Sequence, residues 1–239
     1  RKRFQYEQAA GLLKGVLKDF DKGDRSLLKG TVLYHYARAY FENRDYQKAI
    51  DLYSQIEGTE ATNYIKGLAV RDRVEAHIKR GENDPAIALA RTLIDAQPTH
   101  RKICDVYALL GKAYKENKDF ENALDTFNTL ADSFPCSQKV QDALWYVGWL
   151  NFRKGRLDEA KKAFSAIVAA NGDRFDRERA QYWLARIARK QGDRAGAVEQ
   201  YRALVRMYPL TYYSILAAER LKRGGAGTPE EYKNRKNLS

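Results

Sequence analysis

Residues 110–127 read LGKAYKENKDFENALDTF, and this stretch decides the fold. Tyr114 stands before a polar turn at 117–119, and Ala123 and Phe127 follow that turn four residues apart. Residues four apart share one face of a helix, so the alanine permits a close helix crossing while the phenylalanine fills the space one turn further on. The stretch therefore predicts two α-helices joined by a tight turn.

The same pattern recurs along the chain at a fixed interval. Alanines occur every 37 residues at five positions, Ala49, Ala86, Ala123, Ala160 and Ala197. The residues four positions later are aromatic in every unit but the second: Tyr53, Ala90, Phe127, Phe164 and Tyr201. A constant period of this length is typical of solenoids, in which each hairpin buries its apolar face only by stacking on the next. We therefore expect an all-α, right-handed α-solenoid of about five helical hairpins.

These units resemble the tetratricopeptide repeat, whose pattern places small and aromatic residues at set positions of a helical hairpin. The third unit carries that pattern in register at Tyr107, Leu110, Gly111, Tyr114, Phe120, Ala123, Phe127 and Pro135. The period exceeds the family's usual ~34 residues, which predicts longer helices or connections. The second unit departs furthest, because Arg73, His77 and Asn83 occupy positions that are normally apolar.

The repeat frame divides the chain into four segments. Residues 1–28 are expected to form an N-terminal capping helix, 29–209 the five hairpins, 210–223 a C-terminal capping helix, and 224–239 a glycine-rich linker with a basic tail. Caps are expected because the terminal hairpins of a solenoid otherwise leave an apolar face uncovered.

The end of the array is similar to a more particular family. Residues 181–186 read QYWLAR and 208–217 read YPLTYYSILA, which resemble the last superhelical repeats of soluble lytic murein transglycosylases. In that family a lysozyme-like domain follows, with its catalytic glutamate in a Glu-Ser pair, and no such pair occurs in this sequence. The resemblance implies the scaffold of a peptidoglycan-cleaving parent protein without the catalytic part, located in the periplasm.

The sequence carries no signature of a catalytic, cofactor or metal site. It has neither a glycine-rich nucleotide loop nor a His-Glu-x-x-His element. His100 and Cys104 are four residues apart, but structural zinc almost always requires four ligands. Cys104 and Cys136 are expected at one end of the third hairpin, with a disulfide and two thiols as the alternatives. We therefore expect a non-catalytic chain without cofactor or metal.

Charge points to acidic partners. Lys and Arg number 43 against 31 Asp and Glu, for a net charge of +12, although a solvated basic surface is an equal alternative. No apolar run is long enough to span a membrane. Arg1 opens the sequence and Met207 is its only methionine, so we expect a processed chain or a segment of a longer protein. RNA is the less favoured partner, because no residue code repeats in every unit.

The resemblance also implies a binding groove. In tetratricopeptide arrays the first helix of each hairpin lines the concave surface, and the corresponding positions here are Tyr34, Arg38, Arg71, Lys112, Lys115, Trp145, Trp149, Arg153, Tyr182, Arg186 and Arg189. Such a basic and aromatic set suits carboxylates and the apolar faces of peptide side chains or sugars. For each aromatic residue the alternative is packing in the core between repeats.

Two functions follow from this set. The first is a scaffold that binds a protein, an acidic peptide or peptidoglycan through the groove. The alternative is a generic adaptor for multiprotein assembly with no connection to peptidoglycan.

Overall fold

The computed structural model describes residues 2–20, 26–134, 139–170 and 172–227, and within these ranges every regular element is helical. The twelve α-helices are α1 (Lys2–Phe20), α2 (Ser26–Glu42), α3 (Tyr46–Gln55), α4 (Asn63–Arg80), α5 (Asn83–Ala96), α6 (Ile103–Glu116), α7 (Phe120–Ser133), α8 (Lys139–Lys154), α9 (Leu157–Ala169), α10 (Arg174–Lys190), α11 (Arg194–Met207) and α12 (Tyr212–Arg223). One turn of 3₁₀ helix, Ile56–Gly58, follows α3. None of the described helices combines the length and the apolar character that crossing a membrane requires. The predicted all-α fold class is confirmed.

The chain divides into an N-terminal unit, residues 1–126, and a C-terminal unit, residues 127–239. In the N-terminal unit each helix from α1 to α6 packs against the next, and α2, α4 and α6 also touch in succession. In the C-terminal unit the same holds from α8 to α12, with α8, α10 and α12 in succession. Antiparallel hairpins whose first helices contact one another are the stacking expected of a tetratricopeptide solenoid.

The repeated alanines lie at the helix crossings, as their spacing predicts. All five are at most 1% exposed, and the residues four positions later are at most 2% exposed. The close approach is visible at Gly148 on α8, where an added Cβ would stand 2.6 Å from Cε1 of Phe164 on α9. The 37-residue period therefore marks one crossing per hairpin, filled by one large aromatic side chain in every hairpin but the second, which has Ala90.

The turn inside each hairpin repeats with the same period. Its central residue has a positive φ in all five hairpins, at Arg44, Gly81, Lys118, Gly155 and Gly192. The left-handed conformation costs little for glycine and about 1–2 kcal/mol for other residues. The arginine and the lysine therefore hold a strained conformation that the fold imposes on them.

The residue after this turn begins the second helix of the hairpin. The carboxylates of Asp45, Asp119 and Asp193 each accept a hydrogen bond from the backbone N–H three residues further on. Such caps satisfy donors that the first turn of a helix leaves unpaired. Turn and cap together fix where the chain reverses.

The second hairpin forms despite its polar substitutions, and two of those side chains, Arg73 and His77, find partners at its edges. Arg73 donates to Glu57 at 3.0 Å, and Nδ1 of His77 lies 2.8 Å from Oε2 of Glu82. Val74 and Ala76 on α4 are fully buried between these polar positions. The departure from the repeat pattern therefore alters the rim of the hairpin and leaves its core apolar.

Candidate functional site

Three predicted groove residues of the N-terminal unit, Tyr34, Arg38 and Arg71, contact one buried carboxylate, Asp72 on α4. Its Oδ2 accepts hydrogen bonds from Tyr34 at 2.9 Å, from Arg38 at 3.2 Å and from Tyr53 at 3.4 Å, while Arg71 donates to Oδ1. The carboxylate is only 1% exposed. A buried charge is tolerated when it is paired and hydrogen-bonded, and here four donors from three helices meet that requirement.

The two tyrosines of this cluster are fixed as donors. Burial, and then the Asp72 charge and its hydrogen bond, raise the pKa of Tyr34 to about 12. Burial is also the first cause that raises the pKa of Tyr53, followed by the same carboxylate. Both hydroxyls therefore stay protonated at neutral pH and hold Asp72 in place.

The outward sides of the two arginines are also matched by carboxylates. Arg38 contacts Glu42 at 2.8 Å, and Arg71 contacts Glu75 at 3.4 Å and Asp105 at 3.9 Å. Further along, Lys115 pairs with Glu116 at 2.8 Å, which lowers the pKa of that glutamate, and Lys112 is half-buried. Arg38, Arg71 and Lys115, three of the four basic groove residues of this unit, thus already have carboxylate partners within the chain.

The first helices of the C-terminal unit carry arginines stacked on aromatic rings. The guanidinium carbon of Arg179 lies 3.8 Å from the centroid of Trp145, and that of Arg153 lies 4.8 Å from Trp149. Arg186 lies 4.7 Å from Trp183 and 5.3 Å from Phe152. Stacking of this kind holds a guanidinium plane in one orientation.

Trp145 shows which of its two expected roles the structure favours. Its ring packs against Phe164 at 5.4 Å and against Trp183 at 6.1 Å between centroids. The guanidinium group of Arg179 also stacks on this ring. It belongs to the core between hairpins, as the alternative to ligand contact anticipated. Trp149 is half-buried as well.

Two predicted groove tyrosines lie in the interior. Tyr34 is 9% exposed and Tyr182 is 3% exposed. Tyr182 on α10 packs against Tyr201 at 5.9 Å and Tyr213 at 5.5 Å, and its hydroxyl accepts a hydrogen bond from Nε of Arg220 at 3.4 Å. Because both rings are buried, they affect the surface only by positioning neighbouring arginines. The groove set as a whole remains a prediction.

Some residues that build these clusters were not anticipated from sequence. Asp72 lies between two arginines and reads as a surface charge, but it stands three residues after buried Ala69 and four before buried Ala76, so its spacing is that of the apolar face. The others, Phe152, Arg179, Trp183 and Arg220, lie outside the family positions from which the groove was inferred.

The remaining candidates are accounted for locally. His100 is buried, with Nε2 3.2 Å from the carbonyl oxygen of Tyr64 and Nδ1 accepting from the Lys102 N–H at 3.2 Å. Within the described ranges no three metal-ligating side chains come together. The proposed pairing of Cys104 with Cys136 lies outside the described residues, and so does the basic tail from residue 228 onward.

The sequence model of one protein family, described as tetratricopeptide repeat, matches residues 2–64, 108–175, 153–212 and 182–224. These segments span most of the chain and leave out residues 65–107, which contain the divergent second hairpin. No curated protein matches the sequence.

Solved structures share the fold at low sequence identity. PilW, a widely conserved type IV pilus biogenesis factor, has a TM-score of 0.61 at 16% identity, covering 88% of this chain and 90% of its own. YrrB, a tetratricopeptide-repeat protein with an unusual peptide-binding site, has a TM-score of 0.61 at 13% identity, covering 84% and 96%. The nearly identical repeats of a Podosopora anserina putative kinesin light chain give 0.59 at 17% identity, covering 79% and 100%. At these identities the likeness establishes the fold alone.

Proposed function

This chain belongs to the tetratricopeptide-repeat family, and on that premise we propose that it is a non-catalytic scaffold that binds an acidic segment of a partner protein. The observation that carries the proposal is the row of ring-stacked arginines on α8 and α10 of the C-terminal unit. The fold itself supports a protein-binding scaffold or adaptor. The chemistry of the partner segment is the further step.

Preorientation is the physical reason to expect binding there. An arginine in water loses about 2 kcal/mol of rotamer entropy when a ligand fixes it, and less if it is already held. Arg186 already stacks over the rings of Trp183 and Phe152 before any ligand arrives. Hydrogen bonds from such a guanidinium to a carboxylate are worth about 1.5–3 kcal/mol each. An extended acidic peptide can engage several of them in succession.

Arg186 differs in this respect from the arginines of the N-terminal unit and from Arg179, which lies 2.7 Å from Asp176. Arg38 and Arg71 already donate to Asp72 and lie near further carboxylates. A peptide carboxylate would have to compete with those internal partners. We therefore assign the acidic segment to the C-terminal unit.

A cell-envelope role forms the finer part of the proposal. Its support is the similarity of residues 181–217 to the superhelical repeats of lytic murein transglycosylases, which makes a periplasmic scaffold, with murein or a murein enzyme as its neighbour, the first candidate. A general adaptor without that connection is the alternative.

Fluorescence anisotropy tests the peptide chemistry. We expect a labelled peptide of alternating glutamate and leucine to bind, and its lysine and leucine counterpart not to bind. Arg186→Gln should weaken binding about tenfold, which corresponds to about 1.4 kcal/mol. Arg206→Gln is the matched control, because Arg206 is an exposed arginine on α11. Equal binding of both peptides, or equal loss in both variants, would refute the assignment.

Co-sedimentation with purified murein sacculi tests the envelope part. Retention that resists the salt concentrations that release nucleic acid would support a murein partner. Failure of the sacculi to retain the protein, with acidic peptide binding intact, would leave the general adaptor.

A further inference from the structure

Three arginines of the C-terminal unit converge at the junction of α10 and α12. Arg186 and Arg189 follow Tyr182 by four and seven residues, so all three share one face of α10. Arg220 on α12 reaches across and donates from Nε to the Tyr182 hydroxyl at 3.4 Å. We refer to Arg186, Arg189 and Arg220 as the arginine cluster.

A second contact ties the cluster to the end of α12. Nη1 of Arg189 lies 3.4 Å from the point where a Cβ would stand on Gly224, the residue that ends that helix. Arg189 therefore extends from α10 toward the same helix that supplies Arg220. The three guanidinium groups come from two elements but face one region.

Carboxylates do not balance this cluster. Among the residues that the structure describes, none of its three members has a carboxylate oxygen within 4.0 Å. The neighbouring acid, Glu219, lies 4.0 Å from Arg223. The hydrogen bond to Tyr182 is the main cause that raises the pKa of Arg220, and the charge of Glu219 is the smallest. In the N-terminal unit, by contrast, Arg38 and Arg71 are both paired with the Asp72 carboxylate.

Tyr201, a buried tyrosine beside the cluster, adds no negative charge to it. Tyr201 is 2% exposed, and burial is the main cause that raises its pKa to about 12, with the Tyr182 hydroxyl acting in the same direction. The positive charges of all three arginines oppose that shift, which agrees with their convergence around this hydroxyl. The Tyr201 phenol is therefore neutral at physiological pH. The Tyr182 hydroxyl accepts a hydrogen bond from Arg220.

We propose that the arginine cluster is a binding site for a dianionic phosphoryl group, carried by a phosphorylated side chain of the partner segment. A phosphoryl group offers three strong acceptor oxygens and a charge near −2. Three guanidinium forks match that number of oxygens, whereas one carboxylate has two oxygens and occupies one fork. The carrier rests on the function proposed above, but the site itself does not.

Inorganic phosphate is the first probe. At constant ionic strength, titration followed by amide NMR should shift signals from the end of α10 and from α12, and acetate should shift them at least tenfold less per unit concentration. Arg189→Gln and Arg220→Gln should each weaken phosphate binding at least tenfold. Arg206→Gln should leave it unchanged. Because Arg189 is exposed, its variant keeps the test open even if Arg220→Gln impairs folding.

A pair of acidic peptides, identical except for one phosphoserine, is the second probe. We expect the phosphorylated peptide to bind at least tenfold more tightly, and Arg189→Gln to remove that difference. Phosphate binding without binding of either peptide would support the site and overturn its peptide carrier and the proposed function. Equal binding of both peptides without phosphate binding would overturn the site and leave the function standing. Equal shifts with phosphate, acetate and chloride would overturn the site as well.

Discussion

Replacing Asp72 with alanine should destabilise the N-terminal unit, because this carboxylate joins α2, α3 and α4. The substitution leaves the hydroxyls of Tyr34 and Tyr53 without their acceptor, and an unsatisfied buried donor costs about 1–3 kcal/mol. The two arginines still have carboxylate partners, since Arg38 contacts Glu42 and Arg71 contacts Glu75. We therefore expect a loss of about 2–4 kcal/mol in the free energy of unfolding.

Asp72→Asn separates charge from hydrogen bonding. The asparagine keeps one acceptor oxygen for the tyrosines and loses the ionic contacts to Arg38 and Arg71. Because the Arg38 side chain is 38% exposed, solvent screens much of that contact. We expect a loss of about 1–2 kcal/mol, between wild type and Asp72→Ala. Asp51 is an exposed residue on α3, so Asp51→Asn is the control, with an expected change within about 0.5 kcal/mol.

Urea denaturation with two probes measures the effect and locates it. Far-UV circular dichroism reports all helices, whereas the only tryptophans, Trp145, Trp149 and Trp183, lie in the C-terminal unit. In Asp72→Ala the circular dichroism should fall at lower urea than the fluorescence changes. If both probes keep their wild-type midpoints, Asp72 does not hold the unit together and the reasoning is wrong.

Three further predictions use the turns, the crossings and the buried phenols. Arg44→Gly should stabilise the protein by about 0.5–1 kcal/mol and Gly155→Ala should destabilise it by about 1 kcal/mol, since both residues have positive φ; thermal melts that show no opposite shifts would contradict this. Gly148→Ala should cost about 1–3 kcal/mol in urea titrations because its Cβ would overlap Phe164, and wild-type stability would refute the close approach. The pKa of Tyr34 is raised from 10.0 to about 12 in the folded state, which stabilises that state below pH 10. This contribution should disappear between pH 10 and 12, so the free energy of unfolding should fall less steeply with pH over that range in Tyr34→Phe than in the wild type.

The sequence predicted the hairpins because the 37-residue spacing holds even in the second hairpin, which departs furthest from the repeat pattern. The spacing of the alanines located the helix crossing inside each of the five hairpins, including the one at Ala86, where the aromatic residue is missing. The same period also contains the strained turns, yet Arg44 and Lys118 attract no notice as residue types, because backbone conformation there follows from position in the repeat. Asp72 was missed for a related reason: between Arg71 and Arg73 it reads as surface, and only the packing of three helices shows otherwise.

The groove was harder to predict, because one helix face serves two purposes. Residues four apart on the first helix of a hairpin share one face. Depending on side-chain length, one of them can end in the core while the other reaches the surface. Tyr182 stays inside, whereas Arg186 on the same face extends outward over Trp183. Family positions alone do not distinguish these cases.

The stacked arginines also bear on which partner the C-terminal unit can take. A sugar ring or an apolar side chain binds to an open aromatic face, but Trp145 is covered by Arg179 and Trp183 by Arg186. A glycan would first have to displace a guanidinium and lose its cation–π contact, worth about 0.5–2 kcal/mol. At Arg186 an acidic group has no such cost, since it binds the N–H edge and leaves the stack intact. Should murein be the neighbour of this protein, the carboxylates of its peptide stems, more than its sugars, are therefore the groups that these arginines fit.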